Sequence, residues 1–130
     1  MSWRSEAYGA IRRYPQHKRD SEQLRAVSIT ASASGGRGGT SVSRTTENAA
    51  LRELPRQAQR ELDAVREAIA TTRQYRNGEH HVRLIELMYW RGRSNMSMII
   101  AANEIPIALI TARTWHNDFV KLVDAYLRIF

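Results

Sequence analysis

The sequence predicts an all-α protein. Apolar residues recur at helical spacing in most of the chain, and no stretch alternates apolar and polar residues for long enough to form a strand. With 130 residues, the chain fits one domain, or one small domain preceded by an arm. We therefore expect an N-terminal helical arm over residues 1–29, a flexible linker over 30–46 and a helical domain over 47–130.

The N-terminal arm is predicted to be helical over residues 5–29 because its first apolar residues form one stripe. These residues are Ala7, Ala10, Ile11 and Tyr14. Pro15 interrupts the stripe, which predicts either two short helices or one kinked helix. The following segment, residues 30–46, is rich in glycine and hydroxyl side chains and lacks the spacing of a phosphate-binding glycine loop, so it is interpreted as a linker.

A long amphipathic helix is predicted to follow, with Thr46 as its N-cap. Its apolar residues recur every three or four positions, at Leu51, Leu54, Ala58, Leu62, Val65 and Ile69. We interpret this stripe as core of the same chain rather than as the seam of a dimer. Pro55 lies within it, so either the helix kinks there or a new helix begins there. Asn77-Gly78 is predicted to end the helix, with Gly78 in the positive-φ region.

The C-terminal part has the layout of a helix-turn-helix over residues 96–126. The predicted elements are an apolar helix over 81–90, a basic loop over 91–95, a short helix over 96–103, a turn over 104–107 and a last helix over 108–129. Ala101 and Ala102 are small enough for two helices to cross closely there. A trihelical bundle without any role in DNA binding is the alternative that spacing alone leaves open.

Two stretches of this part resemble phage transcriptional regulators of the RinA/ArpU type. The first, His81-Val-Arg-Leu-Ile-Glu-Leu-Met-Tyr-Trp90, is similar to that family's aliphatic helix ending in tyrosine or tyrosine and tryptophan. The second runs from Ala102 to Phe119 and is similar at Ile105, Ile107, Thr111, Arg113, Trp115 and Phe119. The N-terminal Ala-Ile-Arg-Arg-Tyr-Pro over 10–15 also resembles a helix end near the start of these proteins.

This resemblance implies a domain like region 4 of bacterial sigma factors and a sequence-specific activator of late phage genes in the bacterial cytoplasm. The chain departs from the family pattern at the start of the last helix. Ala108 stands where the family usually has a capping serine, and Leu109 and Ile110 stand where it often has charged residues.

Nine polar residues are candidates for contacts with double-stranded DNA. On the outer face of the last helix we expect Thr111, Arg113, Thr114, His116 and Asn117. Arg113, Thr114 and Asn117 are the strongest of these, because arginine suits guanine, asparagine suits adenine and threonine reaches a base or a phosphate. The loop before the short helix supplies Arg91, Arg93, Ser94 and Asn95, which are expected to hold phosphate.

The formal net charge of +7 favours a polyanionic partner, with nucleic acid first. The first 45 residues hold eight basic and three acidic residues, whereas residues 81–130 hold six basic and four acidic residues. Most of the excess therefore precedes the predicted DNA-binding domain. We expect this charge to serve non-specific attraction, with the N-terminal helices adding phosphate contacts or binding a protein partner. A few uncharged or single-arginine positions are expected to give specificity.

Several classes of function are disfavoured. The chain has no cysteine, which excludes disulfides and cysteine-ligated metals, and it has no apolar run that predicts a membrane span or a signal peptide. Glu79-His80-His81 is interpreted as a polar helix start rather than a metal site, and no catalytic set or cofactor motif is present, so we expect no enzyme and no cofactor.

Two alternatives to a DNA-binding regulator stay open. One is a phage small terminase subunit, although its DNA-binding motif usually comes first in the chain. The other is a helical module that binds RNA polymerase without touching DNA. A homodimer is compatible with paired half-sites.

Overall fold

The computed structural model describes residues 3–33 and 53–130, without the side chains of residues 27–33. Within these ranges the chain forms five α-helices, a short 3₁₀ turn and no strand. The helices are α1 (Trp3–Ala33), α2 (Arg56–Arg73), α3 (Gly78–Tyr89), α4 (Met98–Glu104) and α5 (Leu109–Ile129), and the 3₁₀ turn is Gly92–Ser94. The all-α prediction is confirmed. The predicted linker lies outside the described residues, apart from its first four residues, which belong to α1.

Helix α1 runs through Pro15 as one helix, so of the two alternatives predicted for this segment the structure shows the single helix. Its apolar stripe is fully buried at Ala7, Ala10 and Ile11, in a core shared with α2, α3 and α5. The segment expected to be an arm therefore packs on the rest of its own chain.

A contact from a distant part of the chain compensates for Pro15. Proline has no N–H, so the carbonyl of Ile11, four residues earlier, loses its helical donor. The indole Nε1–H of Trp90 donates to that carbonyl at 2.8 Å. The Trp90 ring also packs against Tyr14, with ring centroids 4.8 Å apart. The end of α3 is thereby fixed to the middle of α1.

A charged cluster fixes α1 to α2. The Glu61 carboxylate is buried and accepts two hydrogen bonds from Arg13, both at 2.8 Å. His17 lies at 2.9 Å and Gln57 at 3.2 Å from the same carboxylate. Burial opposes ionisation of Glu61, but these hydrogen bonds outweigh it and lower its pKa to about 2.

Helix α2 begins directly after Pro55, so the interpretation of a new helix at this proline is confirmed. Its stripe is buried against the same chain at Leu62, Val65 and Ile69, which confirms the interpretation as intramolecular core. The part of this predicted helix that precedes position 53, including Thr46 and Leu51, lies outside the described residues.

The junction of α2 and α3 differs from the prediction. Asn77, not Gly78, has the positive φ of 60°, and Gly78 is the first residue of α3. Gly78 is required for a different reason, because a Cβ placed there would lie 2.3 Å from the backbone oxygen of Thr72.

The buried apolar residues form two clusters. The larger one joins α1, α2, α3 and the second half of α5, with Phe119, Val123 and Leu127 on α5. The smaller one joins α3, α4 and the first half of α5 through Leu84, Leu87, Ala101, Ala102 and Ala112. Because α3 and α5 contribute to both clusters, the small α4 unit is held rigidly at one end of the molecule. No helix in the described ranges is long and apolar enough to span a membrane.

Candidate nucleic-acid interface

Helix α4 and the turn after it follow the order of elements that the sequence predicts there. Ser97 caps α4 by accepting a hydrogen bond from the N–H of Ile100 at 3.4 Å, so the helix begins two residues later than predicted. Ala101 and Ala102 are buried where α4 meets its neighbours. The backbone N–H of Ile107 donates to the Ala102 carbonyl at 2.7 Å, which closes the turn before α5.

The start of α5 lacks a side-chain cap, as the alanine at position 108 predicts. Ala108 occupies the N-cap position with extended backbone and makes no side-chain cap. The first backbone N–H groups of α5 are therefore left without a side-chain acceptor from that residue.

Four residues form an exposed stripe along the first two turns of α5. They are Ile110, Arg113, Thr114 and Asn117, and we call them the α5 stripe. Ile110 is 75% exposed, and Arg113 makes no ion pair or hydrogen bond with any residue that the structure describes. The hydroxyl of Thr114 donates to the Ile110 carbonyl at 3.1 Å, which leaves its oxygen free to accept. The stripe offers an apolar contact, a cation and two polar groups side by side.

Of the other two residues predicted on this face, Thr111 is half-buried beside the stripe and His116 is buried. The prediction that His116 lies on the outer face is therefore wrong. Its Nε2 lies 2.6 Å from the hydroxyl of Tyr89, and its ring stacks on Tyr8 at a centroid distance of 5.8 Å. His116 follows Ala112 by four residues and precedes Phe119 by three, so the helical period itself places it on the buried face.

The rings of His116, Tyr89 and Tyr8 connect α5, α3 and α1 near the N-terminal end of α5. Burial lowers the pKa of His116 below its ordinary value and raises the pKa of Tyr89 to about 12. Both groups are thus neutral near pH 7, and the hydrogen bond between them satisfies two polar atoms that are largely removed from water. The cluster fixes the rotation of α5 and with it the direction in which the α5 stripe faces.

The predicted basic loop is ordered as a compact turn. Arg91, Arg93, Ser94 and Asn95 are all exposed, as predicted. The side-chain oxygen of Asn95 accepts from the backbone N–H of Arg91 at 2.8 Å, so this oxygen stabilises the turn. Gly92 takes the positive φ of 61° that the turn requires. Neither guanidinium group of the turn has an ion-pair partner among the described residues.

In the segment Glu79-His80-His81, one histidine packs against an aromatic ring of the smaller core. No group of three or more potential metal ligands lies together in the described part of the chain, this segment included. His81 instead stacks on Trp115 with ring centroids 4.0 Å apart. Burial lowers the pKa of His81, so it is a neutral aromatic partner in the smaller core.

The sequence predicts phosphate contacts by the N-terminal helices, but it does not show that α1 lies beside the Arg91–Asn95 turn. Arg12 and Arg19 line a groove of about 610 Å³ together with Gly92 and Asn95 of the turn. The signal available in the sequence was their spacing, since residues 12, 16 and 19 share one helix face opposite the stripe of Ala7 and Ile11. Which element that face meets depends on the contact of Trp90 with Ile11, and the sequence does not reveal it.

Comparisons with known proteins add no relative: no family model matches the chain, and no curated protein or solved structure matches it.

Proposed function

We propose that this protein is a sequence-specific DNA-binding transcription regulator of a phage or prophage, acting on late-gene promoters in the cytoplasm of the bacterial host. The observation that carries the proposal is the α5 stripe, presented by a helix that follows a short crossing helix and a tight turn. A helix in this arrangement enters the major groove of DNA with its first turns against the base edges.

Each residue of the α5 stripe has a chemical role in this proposal. Arg113 donates two hydrogen bonds to guanine, and Asn117 pairs with adenine. Ile110 meets a thymine methyl group, and the Thr114 hydroxyl contacts phosphate or a base. Two strong base contacts and one apolar contact suit a short recognition element.

The turn that precedes α4 holds the sugar-phosphate backbone. Arg91 and Arg93 supply positive charge that no acid in the described ranges neutralises, and Ser94 supplies a hydroxyl donor. Such contacts position the protein on the duplex without reading sequence, and they weaken as salt is added. A homodimer on paired half-sites accounts for specificity beyond what one stripe can read.

The test is selection of bound fragments from the source genome, followed by titration of the selected site and of a random duplex. Arg113→Ala is expected to weaken binding to the selected site by about 1–3 kcal/mol, and to affect random DNA much less. Arg76→Ala is the matched control, since Arg76 is exposed in the turn between α2 and α3 and makes no ion pair within the described residues. Equal losses on both duplexes for Arg113→Ala would remove it as a base reader.

One observation favours a second candidate, a helical module that binds a protein such as RNA polymerase. Ile99 and Ile100 of α4 are 59% and 55% exposed and, with Ile110, offer apolar surface at this end of the molecule. Titration with random duplex DNA at low salt decides between the two. Absence of salt-dependent binding would favour the protein partner.

A further inference from the structure

Two grooves lie side by side where α1 meets the end of α3. The first, of about 610 Å³, is bounded on α1 by Arg12 and Arg19 and on the other side by Gly92 and Asn95. The second, of about 320 Å³, is bounded by Lys18 on α1 and by Arg83, Glu86 and Arg91. Pro15 and Trp90 line both grooves and form the ridge between them. We call the pair the Pro15 grooves.

The charge of the Pro15 grooves is strongly one-sided. Their charged lining residues are Arg12, Lys18, Arg19, Arg83, Arg91 and a single acid, Glu86. Glu86 is paired with Arg83 at 3.6 Å. Lys18 and Arg91 have no ion-pair partner among the described residues, and Arg19 donates only to the neutral Gln16. Lys18, Arg19 and Arg91 are therefore available to an anion from outside.

The aromatic rings at and beside the grooves indicate which part of a nucleic acid would fit. Trp90 donates its only side-chain N–H to Ile11, and its ring already packs against Tyr14 and Phe119. The Arg12 guanidinium lies over the ring of Tyr8, 5.8 Å from its centroid. Since these rings are engaged within the protein, the grooves offer charge rather than open faces for stacking bases. Phosphates of a duplex backbone suit them better than unstacked bases of a single strand.

Continuity with the Arg91–Asn95 turn adds a second argument. Arg91 lines one groove, and Gly92 and Asn95 line the other. Phosphates gripped by the turn would be followed along the strand by phosphates facing α1. Because Trp90 joins the end of α3 to α1, the backbone segments that carry these cations lie next to each other.

We infer that the Pro15 grooves are a duplex-phosphate binding surface, in which Lys18 and Arg19 of α1 extend the backbone contact of the Arg91–Asn95 turn. This inference rests on the proposed function and names α1 as part of its DNA interface. Its contribution is independent of sequence, in contrast to that of the α5 stripe.

The experiment compares two double variants of the full chain that lose the same charge. Lys18→Gln with Arg19→Gln empties the grooves of two exposed cations on α1. Arg66→Gln with Arg76→Gln removes two arginines of α2 and its following turn that line neither groove. Circular dichroism first establishes that both variants fold. Each is then titrated with a random 20-base-pair duplex, with the genome-selected site and with inorganic polyphosphate over a salt series.

We expect the Lys18/Arg19 variant to lose about two units of the salt slope and on the order of tenfold in affinity at 0.1 M salt, equally on random and selected duplexes. The Arg66/Arg76 variant is expected to keep the slope of the unmodified chain. Equal losses in the two variants would overturn the grooves as the site while leaving the DNA-binding function standing. Binding of polyphosphate without any binding of duplex would overturn both the assignment to DNA and the proposed function.

Discussion

The hydrogen bond from Trp90 to the Ile11 carbonyl joins the end of α3 to the middle of α1 and leads to a testable prediction. If this hydrogen bond replaces the donor that Pro15 lacks, its contribution to the free energy of unfolding must depend on whether residue 15 has an N–H. We therefore consider Trp90→Phe in two backgrounds, the natural Pro15 and Pro15→Ala. Alanine at position 15 restores the helical N–H aimed at the Ile11 carbonyl.

The expected energies follow from the burial of Ile11, which is fully buried. With Pro15, Trp90→Phe leaves a buried carbonyl without a donor, at about 1–3 kcal/mol, in addition to the loss of ring contacts with Tyr14 and Phe119. In the Pro15→Ala background the carbonyl keeps one donor, and only the ring contacts are lost. The coupling energy between the two substitutions is thus about 1–2 kcal/mol.

Urea unfolding followed by far-UV circular dichroism measures the four free energies without relying on tryptophan fluorescence. Trp115→Phe in the same two backgrounds is the control, because Trp115 stacks on His81 in the smaller core. Its effect is expected to be additive within about 0.5 kcal/mol. An equal cost of Trp90→Phe in the natural and the Pro15→Ala backgrounds would refute the idea that the indole replaces the missing donor.

Three further predictions concern single groups. The pKa of Glu61 is lowered in the folded chain to about 2 from 4.5, so its contribution to stability is present above pH 4.5 and is lost as the pH falls toward 2. Urea unfolding at a series of pH values should show a smaller loss of stability between pH 4.5 and 2 for Glu61→Gln than for the unmodified chain. An unchanged loss would contradict the pairing. Tyr89→Phe leaves the buried His116 Nε2 without its partner and should cost about 1–2 kcal/mol in urea unfolding, whereas Tyr75→Phe, at an exposed ring, should cost almost nothing. Gly78→Ala should cost about 2 kcal/mol or more in thermal unfolding because the new Cβ meets backbone, and a loss below about 1 kcal/mol would show that the junction yields.

Much of the fold followed from the spacing of apolar residues. The stripe at Leu62, Val65 and Ile69 lies in the core, and the small pair Ala101-Ala102 lies at the helix crossing where the sequence placed it. These features are local, because a 3.6-residue period encodes which face is buried without reference to the rest of the chain.

Two local features depend on a residue far away in the chain. Pro15 is a helix breaker by its own chemistry, and α1 continues through it in a structure where Trp90 supplies the donor from 79 positions away. The helical period alone places His116 on the buried face of α5, but the partner that satisfies its polar ring there is Tyr89 of α3. No window of the sequence contains both partners of either pair, so only the tertiary structure reveals them.

One part of the candidate interface could be predicted from the sequence and the other could not. The α5 stripe was predicted at Arg113, Thr114 and Asn117 from the period of one helix, and these residues are exposed as expected. The Pro15 grooves could not be predicted, because their walls come from α1 and from the end of α3. A site within one element can be predicted from sequence, whereas a site between elements depends on how they dock.

The docking of α1 also changes how the positive charge must be tested. Residues 1–45 hold much of the excess charge, and removing them is the obvious way to ask whether it attracts DNA. That deletion would also remove Ala7, Ala10 and Ile11 from the larger core and expose the apolar surfaces of α2 and α5 that they cover. Loss of this apolar burial destabilises the remaining helices, so the truncation would change the fold together with the charge. Charge and fold can be separated only by substitutions on the exposed face of α1, where Lys18 and Arg19 carry charge and bury little surface.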